Sequence, residues 1–81
     1  MSKEFKVRFE NAQEVSEFCA KIKKYIPGDV DAKSGRYVVN AKSILGLLSI
    51  SIDKMWISMD EYTASEIDDL ERICDEYKVE E

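Results

Sequence analysis

A chain of 81 residues has room for one domain, residues 1–81, and its core supports a modest stability of roughly 5 kcal/mol or a little more. At 44% hydrophobic and 36% charged it has the makeup of a folded soluble domain rather than a disordered chain. It contains no histidine, two cysteines (Cys19 and Cys74) and three scattered glycines. That excludes His-based acid–base or nucleophile chemistry, histidine phosphorylation, His-containing or four-thiolate metal sites, a disulfide scaffold and a glycine-rich phosphate loop.

In chain order, Lys3 to Phe9 alternate, with Phe5, Val7 and Phe9 on one side and Lys6 and Arg8 on the other, the pattern of a half-buried strand. Asn11-Ala12-Gln13-Glu14 then reads as an Asn N-cap with Glu three residues on, like a capping box. Val15, Phe18, Cys19 and Ile22 follow at helical spacing, and Lys21, Lys23 and Lys24 crowd the last turns, where the helix dipole favours cations. Pro27-Gly28 ends the helix.

Residues 29–41 read as a hairpin turning at Ser34-Gly35, which pairs Lys33 with Arg36, Ala32 with Tyr37 and Val30 with Val39. Val30, Ala32, Tyr37, Val39 and Ala41 then share one face, and Asp31, Lys33, Arg36 and Asn40 the other. Ser43 to Ile50 is an Ile- and Leu-rich segment, read as a two-turn helix with Ser at its front. Residues 54–59 alternate, with Met55, Ile57 and Met59 inward and Trp56 and Ser58 outward. Thr63 and Glu66 form a second capping box, with Tyr62 and Ile67 as a hydrophobic staple. Ile67, Leu70, Ile73, Cys74 and Tyr77 make the buried stripe of the last helix.

The order β-α-β-β-α-β-α, with strands apolar on one side only, predicts an α+β open-faced sandwich: a four-stranded antiparallel sheet with three helices on one face. A ferredoxin-like fold with an added C-terminal helix is the topological rival, since it shares the first six elements.

Charge and hydropathy exclude further classes. Residues 60–81 hold ten acidic and two basic side chains, which leaves residues 1–59 at +3 within a net charge of −5. An acidic chain without a dominant basic face predicts neither nucleic acid nor an anionic membrane as partner. No apolar run approaches membrane-spanning length, and Met1-Ser2-Lys3-Glu4 lacks the apolar core of a signal peptide, so the expected compartment is the cytoplasm with reduced thiols. No metal and no cofactor is expected, and the chain reads as a non-enzyme.

The stretch from Tyr37 to Ile50, Y-V-V-N-A-K-S-I-L-G-L-L-S-I, resembles the HPr family, the small phosphocarriers of the bacterial phosphoenolpyruvate:sugar phosphotransferase system. The family signature there runs V-N-x-K-S-I-M-G-x-M-S-L, and Val39–Ile50 is the specific part of the match. The Phe5-Lys6-Val7 opening, the element order and the length agree as well. The resemblance implies the open-faced sandwich, protein partners and a role in sugar transport or carbon catabolite regulation.

The family's phosphorylatable histidine, set in a G-x-H-A-R-P context before the first helix, has no counterpart. The stretch Glu10-Asn11-Ala12-Gln13-Glu14-Val15 is about two residues shorter and lacks His, Arg and Pro. Phosphohistidine transfer is therefore rejected. A second family position does carry over: the serine opening the second helix, target of an ATP-dependent HPr kinase, matches Ser43. A phosphate there would meet helix N-terminal N–H groups, with Lys42 adjoining. The plainer role of Ser43 is an N-cap worth about 1 kcal/mol, and the two roles are compatible.

On a helical wheel Ile44, Leu45, Leu47, Leu48 and Ile50 cover an arc of roughly 220°, wider than a surface helix buries. Leu45 and Leu48, or Ile44 at the first turn, should remain at the surface as a docking patch beside Lys42. By resemblance its partners are HPr kinase, phosphotransferase-system components or a transcription regulator. A homodimer contact would use the same side chains, and the oligomeric state is left open.

Other residues read as structural. Cys19 and Cys74 sit on apolar stripes, Asp68 to Glu76 is a solvated acidic face, and Trp56 lies on the polar side of the sheet. Two alternatives to an HPr-like interaction module stand beside it. One is a phosphoryl carrier with an unorthodox acceptor such as Glu14, and the other is a structural or binding module with no link to phosphotransfer.

Overall fold

The computed structural model describes residues 3–50 and 52–79. Met1 and Ser2 of the N-terminal stretch and Glu80 and Glu81 of the acidic C-terminal run lie outside the described residues. Seven elements follow one another: β1 (Lys3–Val7), α1 (Ala12–Tyr25), β2 (Asp31–Ser34), β3 (Tyr37–Asn40), α2 (Ile44–Leu48), β4 (Met55–Met59) and α3 (Ala64–Asp75). The strands form one sheet in the order β1-β4-β2-β3 with every pairing antiparallel. A ferredoxin-like sheet would seat β3 between β1 and β2; here β4 occupies that place and β3 is an edge.

The three helices cover one face. Their apolar stripes (Val15, Phe18, Cys19 and Ile22 of α1, Leu47 of α2, Ile67, Leu70, Ile73 and Cys74 of α3) close over Val7, Val30, Ala32, Met55, Ile57 and Met59 of the sheet side. Phe9, Phe18 and Tyr77 form a ring cluster with centroids 5.1–5.5 Å apart. Phe9 lies just past the end of β1 and Tyr77 just past the end of α3, so both are buried from loops rather than from the elements their spacing indicates. The segment after α3 returns to β1: Arg8 N–H donates to Tyr77 C=O at 2.9 Å, and Lys78 bridges Val7.

The hairpin register differs from expectation by two residues. Ser34 pairs with Tyr37, Lys33 with Val38, Ala32 with Val39 and Asp31 with Asn40, which makes Gly35-Arg36 the loop. Gly35 has φ +60° and Arg36 does not share it, the pattern of a type II′ turn with glycine first. Because the shift is even, the residues still fall on the predicted faces; only their partners change.

The opposite face of the sheet carries no helix. Lys6 lies over the Trp56 ring at 5.7 Å, and Lys33 reaches from β2 across β4 to Glu4 on β1 at 3.5 Å. Ser58, expected to be outward and wet, is 1% exposed, and its hydroxyl has no hydrogen-bond partner. The cause is position: β4 is central, and Ser58 is flanked by Glu4 and Asp31 beneath the Lys33–Glu4 bridge. Among the described residues no helix is long and apolar enough to cross a membrane.

Candidate functional site

Two helix N-termini carry the candidate residues. At α1, Asn11 Oδ1 accepts from Glu14 N–H at 3.0 Å. The Glu14 carboxylate turns back to accept from Glu10 N–H at 2.7 Å, one residue ahead of the cap nitrogen a capping box would use. The anion-attracting end of α1 is thus already occupied by the chain's own carboxylate. Around it Arg8, Glu10, Glu14, Glu76, Tyr77 and Lys78 line a hollow of about 370 Å³. Its wall from the segment after α3 had no sequence signal beyond Tyr77 on an apolar stripe, since the pairing of that segment with β1 is non-local.

At α2, Ser43 is half-buried and its Oγ accepts from Gly46 N–H at 3.1 Å, so the serine is an N-cap as expected. Asn40 organises the approach: its C=O accepts from Ser43 N–H at 3.0 Å and its Oδ1 from Lys42 N–H at 2.8 Å. The helix spans five residues rather than the full 43–50 segment, with Ser49 as its C-cap and Ile50 buried beyond it. It lies close on β3 because Gly46 has no side chain: a Cβ there would stand 3.3 Å from Val39 Cβ and 3.4 Å from Ser43 Oγ. Among the candidate docking residues Leu45 is 79% exposed and Leu48 44%, while Ile44 is half-buried against the core and Lys42 half-buried beside it. The first turn of α2 holds no acidic residue.

The other grooves are lined largely by charged side chains. One of about 650 Å³ between α1 and α3 is crossed by the Lys21–Glu76 bridge at 2.8 Å, and the Glu76 carboxylate together with the Tyr77 hydroxyl holds the Lys21 ammonium above its ordinary pKa. A second, of about 660 Å³, is lined by Asp29, Asp31, Asn40, Asp60 and Glu61. Among the described residues no three Cys, Asp or Glu side chains come together as a metal site. Both cysteines are free and buried; burial pushes the Cys74 thiol up to about 12 and also raises Cys19. Protonated buried thiols are poor nucleophiles.

No family model and no curated protein matches the chain. Its structure, however, is similar to the crystal structure of a phosphocarrier protein HPr from Bacillus anthracis str. Ames, with a TM-score of 0.73, 23% sequence identity and 96% of each chain covered. The chain has the HPr-like fold, an open-faced sandwich of β-α-β-β-α-β-α order.

Proposed function

We propose that this HPr-shaped protein is a non-catalytic interaction module of the phosphotransferase-system type, which docks protein partners through α2 and is regulated by phosphorylation at Ser43. The observation that carries the reading is the pairing of Leu45 and Leu48, exposed, with a capping serine at a helix start whose first turn has no acidic residue. Exposed aliphatics beside a modifiable hydroxyl make a surface whose affinity changes when about −1.5 to −2 of charge arrives. Lys42 adjoins that position, and the phosphate would sit near the positive end of the short helix. The partners are an HPr kinase and a component or transcription regulator of sugar uptake and carbon catabolite control, in the cytoplasm. The carrier alternative through Glu14 is less well supported, because that carboxylate is engaged by Glu10 N–H.

Incubation with an HPr kinase and ATP, followed by intact-mass measurement, tests this. The wild type should gain one phosphoryl group and Ser43→Ala none. An unchanged wild type, with the kinase active on an ordinary HPr, would reduce Ser43 to a helix cap.

A further inference from the structure

The two edges of the sheet are treated differently. β1 carries Lys3, Glu4 and Lys6, and its outer side is partly covered by the segment after α3, where Lys78 bridges Val7 and Val79 N–H donates to Lys6 C=O at 3.4 Å. Charge and a covering segment are standard protections of an edge. β3, the other edge, is Tyr-Val-Val-Asn, without charge or proline and with strong strand formers. Tyr37 is 69% exposed and Val38 59%, on opposite faces of that edge.

The backbone of β3 selects its occupant. Ala41 N–H donates inward to Val30 C=O at 2.8 Å, so by the antiparallel alternation Tyr37 and Val39 also bond inward, while Val38 and Asn40 point outward. The Asn40 carbonyl is taken by Ser43 N–H. Val38 is therefore the residue whose outward donor and acceptor are both unused by the fold.

We propose that β3 pairs antiparallel with β3 of a second copy, about a two-fold axis at Val38. The two Val38 residues exchange reciprocal N–H···O=C bonds, their side chains meet on the uncovered face, and Tyr37 packs over Val39 of the other copy. Charge complementarity fixes this register. Arg36 falls opposite Asn40 of the second copy, whose β2 neighbour is Asp31. Neither Arg36 nor Asp31 has an ion-pair partner within its own chain among the described residues. The span is two strands, roughly 10 Å, and Lys33 already bridges such a span to Glu4. The two-fold axis makes the pair twice. A four-residue strand makes a small interface, at the transient end of the size range, so the dissociation constant should lie on the order of 100 µM.

Sedimentation equilibrium of the full chain from about 10 µM to about 1 mM tests this. Wild type should pass from monomer to dimer across the range, and Val38→Lys should weaken dimerisation at least about 10-fold. Val38 is exposed, so that variant should keep its unfolding midpoint. Arg36→Asp and Asp31→Arg should each weaken the dimer, and the double exchange should bring it back to within about 3-fold of wild type. A wild type that stays monomeric overturns the proposal, as does a dimer that survives Val38→Lys. A dimer abolished by Leu45→Asp alone overturns it too, by moving the contact to α2. Monomeric wild type that instead binds an extended peptide at Val38 likewise rejects the second copy as occupant. Kinase labelling of Ser43 is a separate readout, so either idea can fail alone.

Discussion

The starts of α1 and α2 use nearly the same device and arrive at opposite electrostatics. Each has a small polar cap, Asn11 or Ser43, whose side-chain oxygen accepts from the backbone three residues on. At α1 a carboxylate of the first turn folds back onto the chain, with Glu10 and Glu14 both lining the hollow beside it. At α2 there is no acid in the first turn, and two leucines stand exposed next to the cap. α3 resembles α1 in this respect, since Glu66 closes a complete capping box with Thr63. Helix dipoles attract anions at all three places. Only α2 of the three has no acidic residue in its first turn, and the proposed phosphorylation at Ser43 rests on that difference.

The largest effect separates the buried from the exposed side of α2. Leu47 is fully buried, and Leu47→Ala should destabilise the fold by about 2–5 kcal/mol, read by urea denaturation. Leu45→Ala should change stability by less than about 0.5 kcal/mol while weakening any partner that docks on α2. Equal stability losses at the two positions would mean that Leu45 belongs to the core, and the comparison between the helix starts would lose its exposed surface.

These distinctions were unevenly legible in the sequence. The periodic stripes of α1 and α3 and the N-caps Asn11, Ser43 and Thr63 were readable because each depends on residues within a turn or two. The hairpin partners were not, because either Ser34-Gly35 or Gly35-Arg36 satisfies the face pattern, and only the sign of φ at the first loop position decides between them. Ser58 lies on the expected outward face, and only its burial there escaped the sequence, for a different reason. Alternation tells which face a residue is on, while its burial there depends on β4 being central and on a Lys33–Glu4 bridge between strands distant in sequence. At the candidate site, Ser43 and the exposed leucines followed from local pattern; the return of Tyr77 and Lys78 beside α1 did not.

Removing each cap should have a similar effect, about 1 kcal/mol for Asn11→Ala and for Ser43→Ala. As caps the two residues are equivalent, so any difference between the helix starts must lie in the charge they tolerate. A markedly larger loss at Ser43 would show instead that its hydroxyl supports more than α2.

The smallest effect is therefore the most direct probe. Asp is as good an N-cap as Asn or Ser, so Ser43→Asp and Asn11→Asp both keep the cap and add one negative charge. At α2 the charge meets the dipole with no acid in the turn, and stability should rise by about 0.3–1 kcal/mol at low salt. At α1 the same gain is opposed by Glu10 and Glu14, and Asn11→Asp should be neutral or slightly destabilising. Both effects are surface electrostatics, so in about 1 M salt the two variants should converge. If Asn11→Asp stabilised as much as Ser43→Asp, the carboxylate of Glu14 would not be closing α1, and the case for an anion at α2 rather than at α1 would rest on the missing histidine alone.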